Sequence, residues 1–180
     1  MPAMRIRAIA FALTAAAGIG LAEPVFAASP KDINVVFRTL RYLPDIGRSK
    51  EAMMGVMFDP AVPASVEERD RLDAIIAAGI KGARIKAESL NIPVSELSAI
   101  DDVDFVYVTE GLAAHHGEIF AAASQKGRLT VSVDETCVDQ GKCVMWVRAE
   151  PDVRIVVNRA AANATKLRFP TAFRMLVTER

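Results

Sequence analysis

GRLTVSVDETCVDQGKCVMWVRAEPDVRIVV, residues 127–157, contains three short runs of apolar and β-branched residues. The runs at 129–133, 143–147 and 153–157 have the length and composition of β-strands. Glu150-Pro151-Asp152 separates the last two runs and is typical of a turn, so these strands are predicted to form a hairpin. Residues 127–157 therefore predict the C-terminal half of a β-sheet.

Strands and helices alternate upstream of this segment. Further strands are predicted at 52–58 (AMMGVMF), 83–88 (ARIKAE) and 104–109 (DFVYVT). Helices are predicted at 32–43, 65–78 and 111–126, with a loop containing one helical turn at 91–100. Crossovers long enough to hold a helix favour parallel strands. We therefore expect a single α/β domain, residues 28–180, with a mainly parallel sheet, helices on both faces, and a C-terminal hairpin and helix.

The predicted helix ends have recognisable signals. Asp32 can cap the first helix and Pro44 ends it. Ser65 and Glu68 have the spacing of a capping box for the second helix, which ends before Gly79.

The C-terminal segment is an alanine-rich helix capped by Asn158, followed by an apolar stretch at 169–177. We favour a final helix over a strand for this stretch. Phe169, Phe173 and Leu176 are candidates for contact with a partner or with a second copy in a homodimer. The alternative interpretation is that this helix packs on the core.

The N-terminus has the layout of a secretory signal peptide over residues 1–27. Arg5 and Arg7 precede an apolar run at 8–21, and Val25-Phe26-Ala27 places small residues where a signal peptidase cleaves. Cleavage is expected after Ala27. The apolar run is shorter than the roughly 20 residues that span a bilayer, so the mature protein is not expected to be membrane-anchored. Export without an anchor predicts the periplasm.

The charges are balanced. The chain has 22 basic and 22 acidic residues, and removal of residues 1–27 takes away two arginines and one glutamate. The near-neutral mature chain has no basic stripe with interleaved aromatic residues, which argues against nucleic-acid binding.

Cys137 and Cys143 are the only cysteines, and the VDQGK spacer allows a tight return of the chain. In an oxidising compartment this pair predicts a structural disulfide rather than two free thiols. A zinc site would need further ligands, and a redox-active pair usually has the Cys-x-x-Cys spacing.

Other polar clusters favour ordinary structural roles. His115 and His116 are adjacent on a predicted helix and diverge by about 100°, so they are poorly placed to ligate one metal ion. Asp101, Asp102 and Asp104 do not have calcium-loop spacing. We expect no metal and no cofactor.

The sequence also lacks a nucleophile elbow, a phosphate-binding glycine loop and a dinucleotide fingerprint, so we expect a binding or regulatory protein and not an enzyme. The alternative within that class is a small-ligand-binding module, because open α/β sheets bind ligands beyond the carboxyl ends of their strands. On this chain those ends fall near Asp59-Pro60, Thr109-Glu110-Gly111 and Asp134-Glu135.

Several segments together resemble the YfiR (HmsC-like) family of bacterial periplasmic proteins. They are the signal peptide, RYLP, DFVYVTEGL, KGRLTVSVD and RIVVNRAAANATKLRF. The resemblance implies a periplasmic regulator without enzymatic activity, which binds and restrains an inner-membrane diguanylate cyclase through its periplasmic part and so limits cyclic di-GMP signalling and biofilm formation. The chain departs from the family pattern at Leu43-Pro44, where a Trp-Pro pair is common, and it lacks the second cysteine pair of some members.

Overall fold

A computed structural model describes residues 27–44 and 46–180. Residues 1–26 of the predicted signal peptide lie outside this part of the chain, so the structure does not test that prediction. Across the described residues, no helix has both the length and the apolar character needed to cross a membrane.

The core of the fold is a seven-stranded sheet with the order β2-β1-β3-β4-β5-β6-β7. All neighbouring strands are parallel except β5 and β6, which form the predicted antiparallel hairpin. The strands are β1 Glu51–Phe58, β2 Lys86–Pro93, β3 Phe105–Val108, β4 Leu129–Ser132, β5 Met145–Arg148, β6 Arg154–Val157 and β7 Thr178–Glu179. The mainly parallel α/β fold predicted from the sequence is confirmed, with β7 as an edge strand that the sequence did not predict.

Helices cover both faces of the sheet, and each face has its own apolar core. They are α1 Pro30–Leu40, α2 Pro63–Ala77, α3 His116–Gln125, α4 Glu135–Asp139, α5 Arg159–Ala164 and α6 Thr171–Arg174, with a 3-10 helix at Leu97–Asp102. Apolar side chains of α1, α2, α5 and α6 pack on one face. Those of α3, α4 and the 3-10 helix pack on the other. The central strands are buried on both faces, which explains their nearly continuous apolar sequences.

The second strand along the chain lies later than predicted. The alternating pattern placed it at 83–88, whereas β2 is Lys86–Pro93 and pairs along its whole length with β1. Its position is set by backbone pairing with β1, because KAESLNIP contains few strand-favouring residues.

The predicted capping box at Ser65 and Glu68 is wrong. Helix α2 begins at Pro63 after Val62, and neither side chain caps it. Ser65 instead accepts a hydrogen bond from the Asp59 amide at 3.0 Å, and Glu68 is completely buried. The capping box of this fold lies in α1, where Ser29 accepts from the Asp32 amide and Asp32 accepts from the Ser29 amide.

The C-terminal elements follow the predicted order. Asn158 caps α5 by accepting a hydrogen bond from the Ala161 amide at 2.9 Å. The stretch predicted as a helix at 169–177 contains only the short α6 before β7. Phe173 is 1% exposed and packs on Phe169 with ring centroids 5.0 Å apart, which agrees with the core alternative for that residue.

Leu176 remains 65% exposed beside Met175, at 81%. Contact between Leu176 and a partner therefore stays a prediction.

Cys137 and Cys143 are joined by a disulfide, with Cα atoms 5.2 Å apart. Cys137 lies on the short helix α4, and both cysteines belong to the core on the α3 side of the sheet. The bond therefore fixes α4 to the start of β5.

Replacing both cysteines with serine should destabilise the protein moderately. Because the closed loop is short, the loss of its constraint on the unfolded chain is worth about 2 kcal/mol, with a further cost for two buried hydroxyls. Urea unfolding of the oxidised parent and of the double variant measures the difference. An unchanged unfolding midpoint would contradict a stabilising role for the disulfide.

Candidate functional site at the carboxyl edge of the sheet

The ends of β1, β3 and β4 meet at one edge of the sheet, as parallel pairing requires. The chain leaves β1 at Asp59 towards α2 on one face and leaves β3 at Glu110 towards α3 on the other. This change of direction makes the edge a topological switch point, where α/β sheets commonly bind ligands. The predicted ligand-binding ends near Asp59, Glu110 and Asp134 are thus brought to the same edge.

A groove of about 670 Å³ opens at this edge, and we call it the carboxyl-edge groove. Its lining includes Glu110, Gly111 and Asp134 from the predicted strand ends, and it extends to β5 and β6 through Trp146, Arg148 and Arg154. Asp59 does not line it. The groove therefore holds carboxylates and guanidinium groups around an indole ring.

Trp146 anchors the β5 side of the groove. Its indole nitrogen donates a hydrogen bond to the Val133 carbonyl at 2.8 Å. The guanidinium groups of Arg148 and Arg154 lie 5.9 and 5.5 Å from the ring centroid, within the range of cation–π contact. Sequence reasoning missed this cluster. The signal was present, because Trp146 and Arg148 alternate on one strand and the hairpin register brings Arg154 opposite Arg148.

Buried hydroxyls link the ends of β1 and β3 to α2. The Ser65 and Thr109 hydroxyl oxygens lie 2.6 Å apart, and Thr109 donates to the Met57 carbonyl at 2.8 Å. Ser65 also accepts from the Asp59 amide. These bonds satisfy polar groups that the helix start and the two strand ends would otherwise bury without partners.

Glu68 lies beneath this edge and is completely buried. Its Oε1 accepts hydrogen bonds from the Ala28 amide at 2.7 Å and the Tyr107 hydroxyl at 2.9 Å, and its Oε2 accepts from the Glu110 amide at 2.6 Å. Burial raises the pKa of Glu68, although the three hydrogen bonds oppose the shift. The carboxylate thus connects the start of the described chain to a residue that lines the carboxyl-edge groove.

The two histidines have different environments. His115 contacts Glu118 through Nδ1, and its Nε2 lies 3.4 Å from Asp59. His116 is 2% exposed, makes no hydrogen bond within the described chain, and its Nε2 lies 3.9 Å from Asp134. Burial lowers the pKa of His116, while the charge of Asp134 opposes the shift.

The acidic segment at 101–104 is structural. Asp101 forms an ion pair with Lys126 at 2.8 Å, and Asp104 accepts from the Met53 amide at 2.8 Å. Among the residues that the structure describes, no group of three or more metal-ligating side chains has metal-binding geometry.

A second concave surface lies between α1 and α2. This groove of about 780 Å³, here called the helix groove, is mainly apolar and includes Val35, Ile75, Ile80 and Val153 in its lining. The charged side chains that line it are all basic, namely Lys31, Arg71 and Lys81. Sequence reasoning did not find this surface, because it depends on how the two helices are placed together.

The structure is an α/β domain with two grooves on its surface. The profile of the YfiR/HmsC-like family matches residues 60–176, more than half of the chain. The chain therefore belongs to the YfiR/HmsC-like family. Membership supports a role as a periplasmic regulator in general terms, and it identifies no partner.

Solved structures share the fold at low sequence identity. A conserved domain protein from Vibrio cholerae is 14% identical with a TM-score of 0.59, and the match covers 83% of this chain and 60% of that one. An ABC domain in complex with L-Trp from Streptococcus pneumoniae is 11% identical with a TM-score of 0.60, covering 83% and 62%. A ligand-free, open substrate-binding protein with adhesive properties from Clostridium difficile is 14% identical with a TM-score of 0.55, covering 72% and 54%.

This chain thus spans only 54–62% of the length of those neighbours, and the likeness concerns the fold. No curated protein matches the chain.

The buried His116 ring should make stability depend on pH. Because its folded-state pKa is lowered, the unfolded chain takes up a proton near the ordinary value of 6.5 before the folded protein does. The free energy of unfolding should therefore fall as pH drops below about 6.5. The His116→Gln variant should show a weaker fall in urea titrations between pH 7.5 and 5.5.

His115→Gln is the matched control on the neighbouring ring. If the fall in stability is lost in His115→Gln and kept in His116→Gln, the assignment to the buried histidine is contradicted.

Proposed function

We propose that this protein is a non-enzymatic periplasmic regulator that binds and restrains an inner-membrane diguanylate cyclase, and so limits cyclic di-GMP signalling and biofilm formation. The observation that carries the proposal is membership of the YfiR/HmsC-like family. The disulfide between Cys137 and Cys143 is consistent with an oxidising compartment.

The helix groove supports the proposal as a docking surface for the partner. Val153 is 62% exposed, and Val35, Ile75 and Ile80 are only partly buried, so apolar surface remains in contact with water. An apolar groove between two helices suits an amphipathic helix laid along it. The occupant we propose is such a helix from the periplasmic part of the cyclase.

The charges that line the helix groove indicate which charges the partner helix should carry. Among the described residues that line the groove, Lys31, Arg71 and Lys81 are basic and none is acidic. Lys31 pairs with the exposed Glu150, which leaves Arg71 and Lys81 as the cationic groups for a partner to meet. Complementary charge speeds association and excludes wrong partners, so the partner helix should have acidic residues beside its apolar stripe.

The basic lining of the helix groove argues against a segment of this same chain, or of a second copy of it, as the occupant. The exposed Met175 and Leu176 belong to residues 166–180, which carry four basic residues and one acidic residue, so the C-terminal segment of a second copy would bring mainly positive charge to a basic groove. Residues 1–22 carry Arg5 and Arg7 and no acid. An acidic segment of another protein fits better than either.

Deleting the gene should raise the intracellular cyclic di-GMP level, and expressing the wild-type protein in the deletion strain should return it to the original level. A variant carrying Val153→Asp and Lys81→Glu should fold but fail to restore the level, because it removes apolar contact and reverses charge at exposed positions. The measurement is cyclic di-GMP in the deletion strain expressing each variant, with export of each checked by blotting the periplasmic fraction.

The matched control carries Met175→Asp and Lys142→Glu, which make the same chemical changes at exposed sites away from the helix groove. If the control fails and the groove variant restores the level, the C-terminal segment is the docking surface. A deletion that changes neither cyclic di-GMP nor biofilm would contradict the regulatory function itself.

The second candidate function is small-ligand binding in the carboxyl-edge groove. The groove favours a small ligand that has an anionic group and a flat or cationic part. Arg148 and Arg154 suit the anionic group, and Trp146 suits a flat part. The carboxylates of Glu110 and Asp134 suit a cationic part. One neighbour of this fold was crystallised with L-Trp, which makes amino acids a reasonable first set of probes.

Amino acids at millimolar concentration should raise the melting temperature if this candidate function is right. Arg154→Ala should reduce that rise, because Arg154 is exposed and lines the groove. An equal rise in Arg154→Ala would place the binding elsewhere.

A further inference from the structure

The amide nitrogen of Ala28 lies in an unusual environment for the start of a domain. Ala28 is 1% exposed, and its N–H donates to Glu68 Oε1 at 2.7 Å. Chain ends are normally exposed unless something holds them. The peptide bond just before this nitrogen, Ala27–Ala28, is the bond at which the sequence predicts signal-peptide cleavage.

We propose that cleavage of this bond creates an amino terminus that Glu68 binds as a buried ion pair. Hydrolysis by a signal peptidase consumes one water, leaves a carboxylate on Ala27, and leaves the amine on Ala28, which takes up a proton. The neutral amide that now donates to Glu68 becomes an α-ammonium group at the same place. The ion pair exists only in the processed protein, and it is independent of the function proposed above.

The surroundings of Glu68 favour a positive charge at this point. Within residues 27–44 and 46–180, Glu68 accepts three hydrogen bonds, all from neutral donors: the amides of Ala28 and Glu110 and the hydroxyl of Tyr107. A buried carboxylate bound only to neutral donors is costly, and burial raises the pKa of Glu68 accordingly. An ammonium group 2.7 Å away would offset that cost.

A second buried carboxylate adds to the negative potential around the terminus. Asp32 is 2% exposed and accepts from the Ser29 amide at 2.8 Å, the Ser29 hydroxyl at 2.7 Å and the Ala149 amide at 2.6 Å. Ser29 directly follows the new terminus. Because Asp32 binds the residue next to the terminus, its negative charge would add to the attraction that Glu68 exerts on the α-ammonium group.

Glu68 also connects the ion pair to the carboxyl-edge groove through Glu110. The second oxygen of Glu68 accepts from the Glu110 amide at 2.6 Å, and Glu110 lines that groove. Processing would thus strengthen the contact that holds the end of β3 in place. The uncleaved and processed proteins would differ at the carboxyl-edge groove as well as in length.

The test compares two forms of the exported domain, one beginning at Ala28 and one that keeps Ala27, in which the Ala28 nitrogen remains an amide. Both can be released from a fusion by a protease that leaves no extra residues. The form beginning at Ala28 should melt higher by about 2–4 °C. The difference should disappear in Glu68→Gln and persist in Glu67→Gln, whose side chain is on the exposed face of α2.

The ion pair also predicts a direct signature. The Ala28 α-amine should titrate above its ordinary value of roughly 8, measured by NMR with ¹⁵N-alanine, and should resist amine acylation in the folded protein. If Glu68→Gln does not fold, this measurement and the comparison of the two forms still decide the matter. Equal melting temperatures for the two forms, an ordinary α-amine, or a natural N-terminus other than Ala28 would each overturn the proposal.

Discussion

The carboxylate of Glu68 accepts hydrogen bonds from two regions that each lie about 40 residues away along the chain: Ala28 before α1, and the end of β3 with the loop that directly follows it. Ala28 and Tyr107 are buried and Glu110 is partly buried, and these hydrogen bonds would be lost if the carboxylate moved. Because Glu68 lies on α2, these bonds fix that helix against both α1 and the sheet. The spacing of α1 and α2 forms the helix groove, and the position of Glu110 shapes the carboxyl-edge groove. One buried acid therefore supports both candidate surfaces.

The central strands could be predicted because their own side chains determine them. Strands β3 and β4 are buried on both faces, and FVYV and LTVS contain the β-branched and aromatic residues that such strands require. The edge strand β2 is different. Its sequence, KAESLNIP, is half polar, and its bounds depend on a partner strand more than thirty residues earlier. Local patterns carry little information about such a strand, which explains why its predicted position was several residues too early.

The candidate sites also contain parts that could be predicted from the sequence and parts that could not. The strand ends near Glu110 and Asp134 could be placed at one edge from the sequence, since parallel strands must end on the same side. The arginines around Trp146 depend on the hairpin register, and the helix groove depends on how two helices pack. Ser65 and Glu68 show that a local motif does not reveal the long-range partners of its side chains. Their spacing is that of a helix cap, but long-range burial gives both side chains partners from other elements.

The two edges of the sheet have a consequence for self-association. Strand β2 is one edge, with Lys86 and Glu88 on an exposed stretch and Pro93 as its last residue, and β7 at the other edge is only two residues long. Charged side chains, proline and short length each discourage a strand from another molecule from extending a sheet. At the high protein concentrations of a narrow compartment, such edges protect the folded chain against open-ended aggregation. The two grooves described above lie away from these strand edges, so binding in either of them does not require a strand to be added to the sheet.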